Sequence, residues 1–291
     1  MAVRYRRIVT DAAPTPSALE LDRRAYRKRQ STRSVFVALA STLAFAGVVW
    51  LTVINTPGWA KVQQSFFDPE TFWSSLPRVW EGFLLNLQVL ALSVVTVAVF
   101  ATLIALLRTL RGAVFFPVRI LAAAYTDIFR GIPLIIVLYL IGFGVPALLN
   151  QRVPLIVLGT AAITITYSAY VSEVIRAGIE AVHPSQRIAA RAMGLGYTQT
   201  LRLVVLPQAL RKMTPPLMND FVAMQKDVGL VSIIGLVDAV RAAQIETSLS
   251  YNFTPYIVAA LLFVLLAIPT IRLTDWYTAR LQRREQMGSV V

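Results

Sequence analysis

Residues 185–207 read SQRIAARAMGLGYTQTLRLVVLP. They lie between two long apolar runs, so they must leave the bilayer on one side of it. Pro184 disfavours helical backbone at His183, which predicts the end of the preceding helix there. Ser185 suits the N-cap of a new helix, its hydroxyl accepting from an unpaired N–H of the first turn. Ile188, Ala192 and Leu195 then share one face, and Arg187 and Arg191, four apart, share another. Gly194 and Gly196 are expected to stop the helix, because glycine takes a positive φ at little cost. A short amphipathic helix ended by glycines and flanked by apolar runs reads as a segment for another protein to grip.

Composition sets the surroundings of that stretch. Of 291 residues, 56% are hydrophobic and 15% charged, with a mean hydropathy of +0.63. Those values point to an all-α, polytopic membrane protein. Apolar runs predict six spans, at about 35–55, 83–107, 118–148, 153–182, 217–237 and 253–274, each long enough to cross the hydrocarbon core. Gly131 and Pro133 interrupt the third, which is expected to bend or unwind. Pro215 and Pro216 are expected to open the fifth, with residues 208–214 near the membrane surface. Residues 56–80 read as an outer interfacial segment rich in Trp and Phe, and 238–250 as a polar outer segment. The net charge of +13 is not one patch, so it gives no nucleic-acid site.

The cations gather on one face instead. Residues 1–34 hold nine: Arg4, Arg6, Arg7, Arg23, Arg24, Arg27, Lys28, Arg29 and Arg33. Arg108, Arg111, Arg119, Arg187, Arg191, Arg202, Arg211, Lys212, Arg280, Arg283 and Arg284 join them if both termini lie on that side. The opposite face keeps little beyond Lys61, Arg78, Arg152 and Arg241. By the positive-inside rule both termini and residues 185–207 are cytoplasmic, in the plasma (inner) membrane. The basic N-terminal segment reads either as a helix near anionic headgroups or as a tail that only fixes orientation. The first span reads as an uncleaved anchor.

Charges within spans are costly and so mark candidate sites. Asp127 with Arg130, and Glu173 with Arg176, are spaced to pair on one helix face, which gives either a structural or a pathway role. Asn219, Asp220, Gln225, Lys226 and Asp227 make the fifth span polar. Asn219 with Lys226, and Asp220 with Asp227, are seven apart and so share faces. A stripe along a wet path, or polar groups pinning helices together, would each explain them. Chemistry of other kinds has no footing. There is no cysteine and one histidine, His183, so no multi-histidine metal site. No G-x-S-x-G, H-E-x-x-H or G-x4-G-K-[ST] motif is present, so the chain carries no ATP-phosphate loop of its own.

Ile188-Ala189-Ala190, then Gly194, then Val204-Val205-Leu206-Pro207 resembles the EAA loop of membrane subunits of ABC importers, E-A-A-x3-G-x9-I-x-L-P, with both spacings kept. Ile188 replaces its glutamate and Val204 its isoleucine. Phe129-Arg130-Gly131-Ile132-Pro133-Leu134, Arg176-Ala177-Gly178-Ile179, Leu206-Pro207-Gln208-Ala209-Leu210-Arg211 and Lys226-Asp227 extend the likeness to the permeases for polar amino acids. The resemblance implies a five-helix type I importer core at 83–284, with a coupling loop at 184–207 and the helix 35–55 added. It also implies four partners: a cytoplasmic ABC ATPase dimer carrying ATP and Mg, a second permease chain, an extracytoplasmic solute-binding protein and a polar amino-acid substrate. No cofactor is expected on this chain, and no catalytic residue. Arg187, Ile188, Ala189, Ala190, Arg191, Gly194 and Leu195 would contact the ATPase. Arg130, Glu173, Asn219, Asp220, Lys226 and Asp227 are the candidate path residues. The competing class is a secondary amino-acid transporter driven by an ion gradient, which predicts an inverted repeat and no partner loop.

Overall fold

A computed structural model describes residues 17–110 and 112–288, without the side chains of 24, 25, 29 and 282–288. Arg4, Arg6, Arg7 and Arg111 therefore lie outside the described residues, as do the side chains of Arg24, Arg29, Arg283 and Arg284. Every regular element among the described residues is helical. The chain falls into two compact units, Met1–Val62 and Gln63–Val291.

The first unit is dominated by α1, Ala18–Ile54, which Ser17 caps by accepting from the Glu20 amide. One continuous helix thus carries both the described part of the basic segment and the apolar run after it. Helix α2, Trp59–Phe66, follows.

In the second unit α3, Pro69–Thr109, starts fourteen residues before the expected span. Asp68 accepts from the amides of Glu70 and Thr71, and Pro69 sits in the first turn, where no N–H is needed. What reads in sequence as an aromatic interfacial segment is therefore partly helix. Helices α4, Phe116–Gly131, and α5, Leu134–Leu149, are bent by 107° at the expected break. Pro133 lacks a donor and holds Ile132 extended, at φ −93° and ψ 127°, so the helix cannot run through. Helix α6 spans Leu155–Glu180 and α7 Pro184–Ala192. The short α8, Tyr197–Thr200, leads through a π-helical turn into α9, Leu206–Asp227.

One expectation fails here, and one segment holds a helix that the sequence reading did not name. Helix α9 begins at Leu206, and Pro215 and Pro216 lie inside it rather than at its start. Pro207 already occupies the first turn, and the carbonyls freed by the inner prolines belong to Arg211 and Lys212, both exposed to solvation. Residues 239–250 form a helix, α10, Ala239–Ser250, capped by Asp238 accepting from the Arg241 amide. A 3-10 segment, Val228–Ile234, and Gly235 at φ +96° separate it from α9. The last helix, α11, is Thr254–Gly288.

One core packs α3, α5, α6 and the 3-10 segment through Val89, Val97, Leu138, Ile163, Val228 and Val231. A second joins α3, α10 and α11 through Val79, Phe83, Ala239, Ala242 and Val258. By length and composition α1, the stretch 59–109, α6 and α11 can each cross a membrane, and so can each bent pair, α4 with α5 and α9 with α10, taken as one span. The fold is that of a multi-pass membrane protein.

Candidate functional site

Two places gather the residues singled out in the sequence. The first is the loop helix α7. His183, not Ser185, caps it, its Nδ1 accepting from the Ser185 amide, and Pro184 takes the first turn. Gly194 has φ +84°, and the Leu195 amide returns to the Ala190 carbonyl at 3.2 Å, so the helix closes in a left-handed glycine turn as the sequence predicts. Gly196 does not stop it. At φ −65° it is the N-cap of α8, with its amide on Gln199 Oε1.

The named loop residues separate by direction. Arg187 donates to the Ile179 carbonyl at 2.8 Å, and Lys212 donates to the Ala181 carbonyl at 2.7 Å. Both satisfy carbonyls at the C-terminus of α6, so Arg187 ties α7 to that helix and Lys212 ties α9 to it. Ala190 is 1% exposed. It offers a partner almost no surface and serves as packing within this chain. Ile188, Ala189, Arg191 and Gly194 are exposed, with Leu195 half-buried. Met193, Tyr197 and Leu203 are exposed as well, and sequence reasoning did not name them. Met193 beside Gly194 was the available signal.

The second place is a cavity of about 270 Å³ at the α4–α5 break. Ile132, Pro133 and Leu134 form one wall, Thr166, Tyr167 and Tyr170 of α6 another, and Asp220, Ala223 and Asp227 of α9 the third. The Tyr167 hydroxyl donates to Asp227 Oδ2 at 2.8 Å. The Tyr170 hydroxyl donates to the Arg130 carbonyl at 3.0 Å, and the Arg130 guanidinium lies 5.9 Å from the Tyr170 ring centroid. Asp127 does not pair with Arg130. Both are exposed, and Asp127 has no ion-pair or hydrogen-bond partner among the described residues. Four chosen path residues, Arg130, Glu173, Asn219 and Lys226, are absent from the lining of this cavity. Glu173 accepts from Arg108 at 2.6 Å and from Arg176 through both oxygens, and Arg176 also reaches Glu180 at 2.5 Å. Arg108 donates to Thr126 as well, so the cluster clamps α3, α4 and α6. Asn219 and Lys226 are exposed on the other face of α9. Tyr167 and Tyr170 went unnamed in the sequence, because nothing local says which α6 residues face α9.

A loop helix tied to the end of α6, and a polar cavity where a broken helix meets two others, are the setting for the comparisons with known proteins. The description "Binding-protein-dependent transport system inner membrane component" matches residues 101–283. The chain belongs to that family. It is the permease subunit of an ABC importer, a transport subunit, in a family whose members work with an ATPase and a binding protein. An ion-gradient-driven transporter finds no support. The chain is 31% identical over 194 residues to the arginine transport system permease protein ArtQ of Bacillus subtilis, 66% of this chain and 87% of that one. It is 35% identical over 192 residues to the probable glutamine ABC transporter permease protein GlnP of the same organism, 65% and 86% covered. A crystal structure of an amino acid ABC transporter with histidines aligns with TM-score 0.67 and 33% identity, over 73% of this chain and 98% of that one. The MetNI methionine ABC transporter in an inward-facing conformation, at 20% identity and TM-score 0.52, shares the fold.

Proposed function

We propose that this permease imports a polar amino acid, driven by a cytoplasmic ATPase dimer that holds the ATP and Mg. The observation that carries the mechanical half is the α7 platform, held where Arg187 binds the end of α6 and exposed at Ile188 and Met193. Force applied to α7 passes straight into α6. That helix is clamped through Glu173 to α3 and α4, and it lines the cavity. Closure of the ATPase dimer would then rock the helices between inward and outward openings.

A second permease chain, identical or homologous, completes the path in this reading. Lys226 is exposed near the middle of a spanning segment, where lipid contact would cost roughly 2.5–3.5 kcal/mol. Water in a shared pathway, or polar groups of the second chain, would relieve that cost. An extracytoplasmic solute-binding protein delivers the substrate, which passes the cavity on its way to the cytoplasm. Copurification tests the assembly: the full chain, coexpressed with a cognate ABC ATPase, should retain that subunit through affinity purification and size exclusion. Recovery of the permease alone under mild detergent overturns the reading.

Two expected results follow from the platform. A cysteine placed at Gln199, in this cysteine-free chain, should react with a permeant maleimide and not with an impermeant one added to whole cells. Labelling from outside would invert the topology. Ile188 is 68% exposed, although full burial of an isoleucine is worth roughly 1.5–3 kcal/mol. Ile188→Ala should accordingly weaken ATPase retention by about tenfold or more, with membrane insertion unchanged. Undiminished retention would remove Ile188 from the contact.

A further inference from the structure

A second cavity, of about 510 Å³, lies where α3, α4 and α6 meet. It shares no residue with the one at the α4–α5 break. Four-residue steps build two of its walls, Leu92, Thr96 and Phe100 on α3 and Val157, Ala161 and Ile165 on α6, each a single helix face. Tyr125 of α4 supplies the third. The small Ala161 leaves the middle open, and two hydrogen bonds hold the walls around it. Thr96 Oγ1 and Thr164 Oγ1 are 2.6 Å apart, and the Tyr125 hydroxyl donates to the Ile165 carbonyl at 2.6 Å.

The lining decides what can enter. Its volume falls within the roughly 300–1,000 Å³ found for small-molecule sites. No charged side chain lines it, so an ion brought there would lose its water and meet no counter-charge. The occupant is therefore uncharged. Most of the wall is aliphatic or aromatic, yet Thr160 and Ser168, 9% and 0% exposed, carry hydroxyls without a partner. They stand one helical turn either side of Thr164, whose own hydroxyl is taken by Thr96. A buried hydroxyl without a partner is costly where no water reaches it. The site asks for an apolar body that also carries one hydrogen-bonding group.

Depth names the route of entry. Val157 lies in the first turn of α6, and Ser168 is twelve residues before its last residue, Glu180, about 18 Å along the axis. The cavity is thus at the level of the hydrocarbon core. Leu92, Phe100 and Val157, each about half exposed, rim it. A molecule dissolved in the bilayer reaches it, and one dissolved in water does not. Tyr125 is six residues before Gly131, so an occupant also bears on the helix that runs into the break.

We propose that this cavity binds an uncharged single-chain amphiphile from the bilayer, of fatty-alcohol type. Its alkyl chain lies along Leu92, Phe100 and Val157, and its hydroxyl exchanges a hydrogen bond with Thr160 or Ser168.

Photolabelling with a diazirine-bearing octanol tests this on the purified complex in nanodiscs of phosphatidylethanolamine and phosphatidylglycerol. Mass spectrometry should find label on Tyr125 and on residues 157–168, and excess n-octanol should lower it at least about fivefold. Tyr139, exposed on α5, reports general partitioning into lipid and should lose less than about twofold. Ala161→Phe, which fills the middle, should remove label as octanol does. Thr160→Val with Ser168→Ala keeps the shape and removes the hydroxyls. In that variant the octanol concentration for half protection should rise about threefold or more, the size of one hydrogen bond. Label at Tyr125 that octanol does not displace, or that follows Tyr139 throughout, overturns the site. So does a complex with no label there, whose cavity is closed by a second permease chain or by its own packing. An unchanged half-protection concentration in the double variant overturns the assignment of the ligand's polar group.

Discussion

Gly82→Leu is expected to yield no folded, monodisperse permease, and Gly82→Ala is already expected to be severely destabilised. A Cβ at Gly82 would stand 2.4 Å from the Asp238 carbonyl carbon, 2.5 Å from its oxygen and 2.7 Å from the Ala239 nitrogen. Those are backbone atoms, so no side chain can swing aside. The turn they belong to is also fixed from one residue nearby. Asn86, fully buried, donates to Asp238 Oδ2 at 2.9 Å and to the Val228 carbonyl at 3.0 Å, and accepts from the Ala239 amide at 3.0 Å. Moving the turn away from α3 to make room would break these bonds in a medium with no water to replace them, at about 1–3 kcal/mol for each group left unpaired. Overpacking alone costs typically 1–3 kcal/mol. Size-exclusion profiles and thermal melts of the purified complex give the measure, with Gly144→Ala as control. Gly144 has nothing within 4 Å of the added carbon, and its helix should gain slightly. A Gly82→Leu complex that melts with the unmodified one would show that the α3–α10 contact is soft.

That contact also marks where sequence reasoning stops. Local chemistry announced the α4–α5 break, because Gly131 and Pro133 act within one turn. It announced the glycine turn at Gly194 in the same way. Asn86 and Asp238 are 152 residues apart, and only the folded chain brings them together. Helix α10 was hidden for a related reason: its buried face is alanine, at Ala239, Ala242 and Ala243, which packs closely without producing an apolar run. Pro215-Pro216 misled, since the usual preference for proline in a first turn is satisfied by Pro207 instead. The candidate path residues were half legible. Spacing put Asp220 and Asp227 on one face and Asn219 and Lys226 on another, and both groupings hold. Which face meets α6, and that Glu173 is spent on two arginines, depends on how helices far apart in sequence are set side by side.

Gly194→Leu is expected to abolish uptake while the permease still inserts and folds. Gly194 has φ +84°, a conformation that costs an ordinary L-residue roughly 1–2 kcal/mol. Within this chain a Cβ there meets nothing within 4 Å, so no clash adds to that cost, and a membrane domain of this size should tolerate it. The added side chain would instead project from the exposed end of α7, next to Met193 at 74% exposure. If that surface seats an ATPase subunit, a leucine there pushes the loop out of its seat. The two costs can be told apart. Gly194→Asn keeps the backbone preference, since asparagine visits the left-handed region readily, yet adds bulk; Gly194→Ala adds one carbon and keeps the backbone strain. If seating governs, uptake should fall in the order alanine, asparagine, leucine, following volume. If backbone strain governs, asparagine should be the mildest of the three. In proteoliposomes with the binding protein, the leucine variant should lose substrate-stimulated ATP hydrolysis together with uptake, and its melting temperature should stay within a few degrees of the parent's. Uptake at the unmodified rate by Gly194→Leu would mean that α7 transmits its force through other residues.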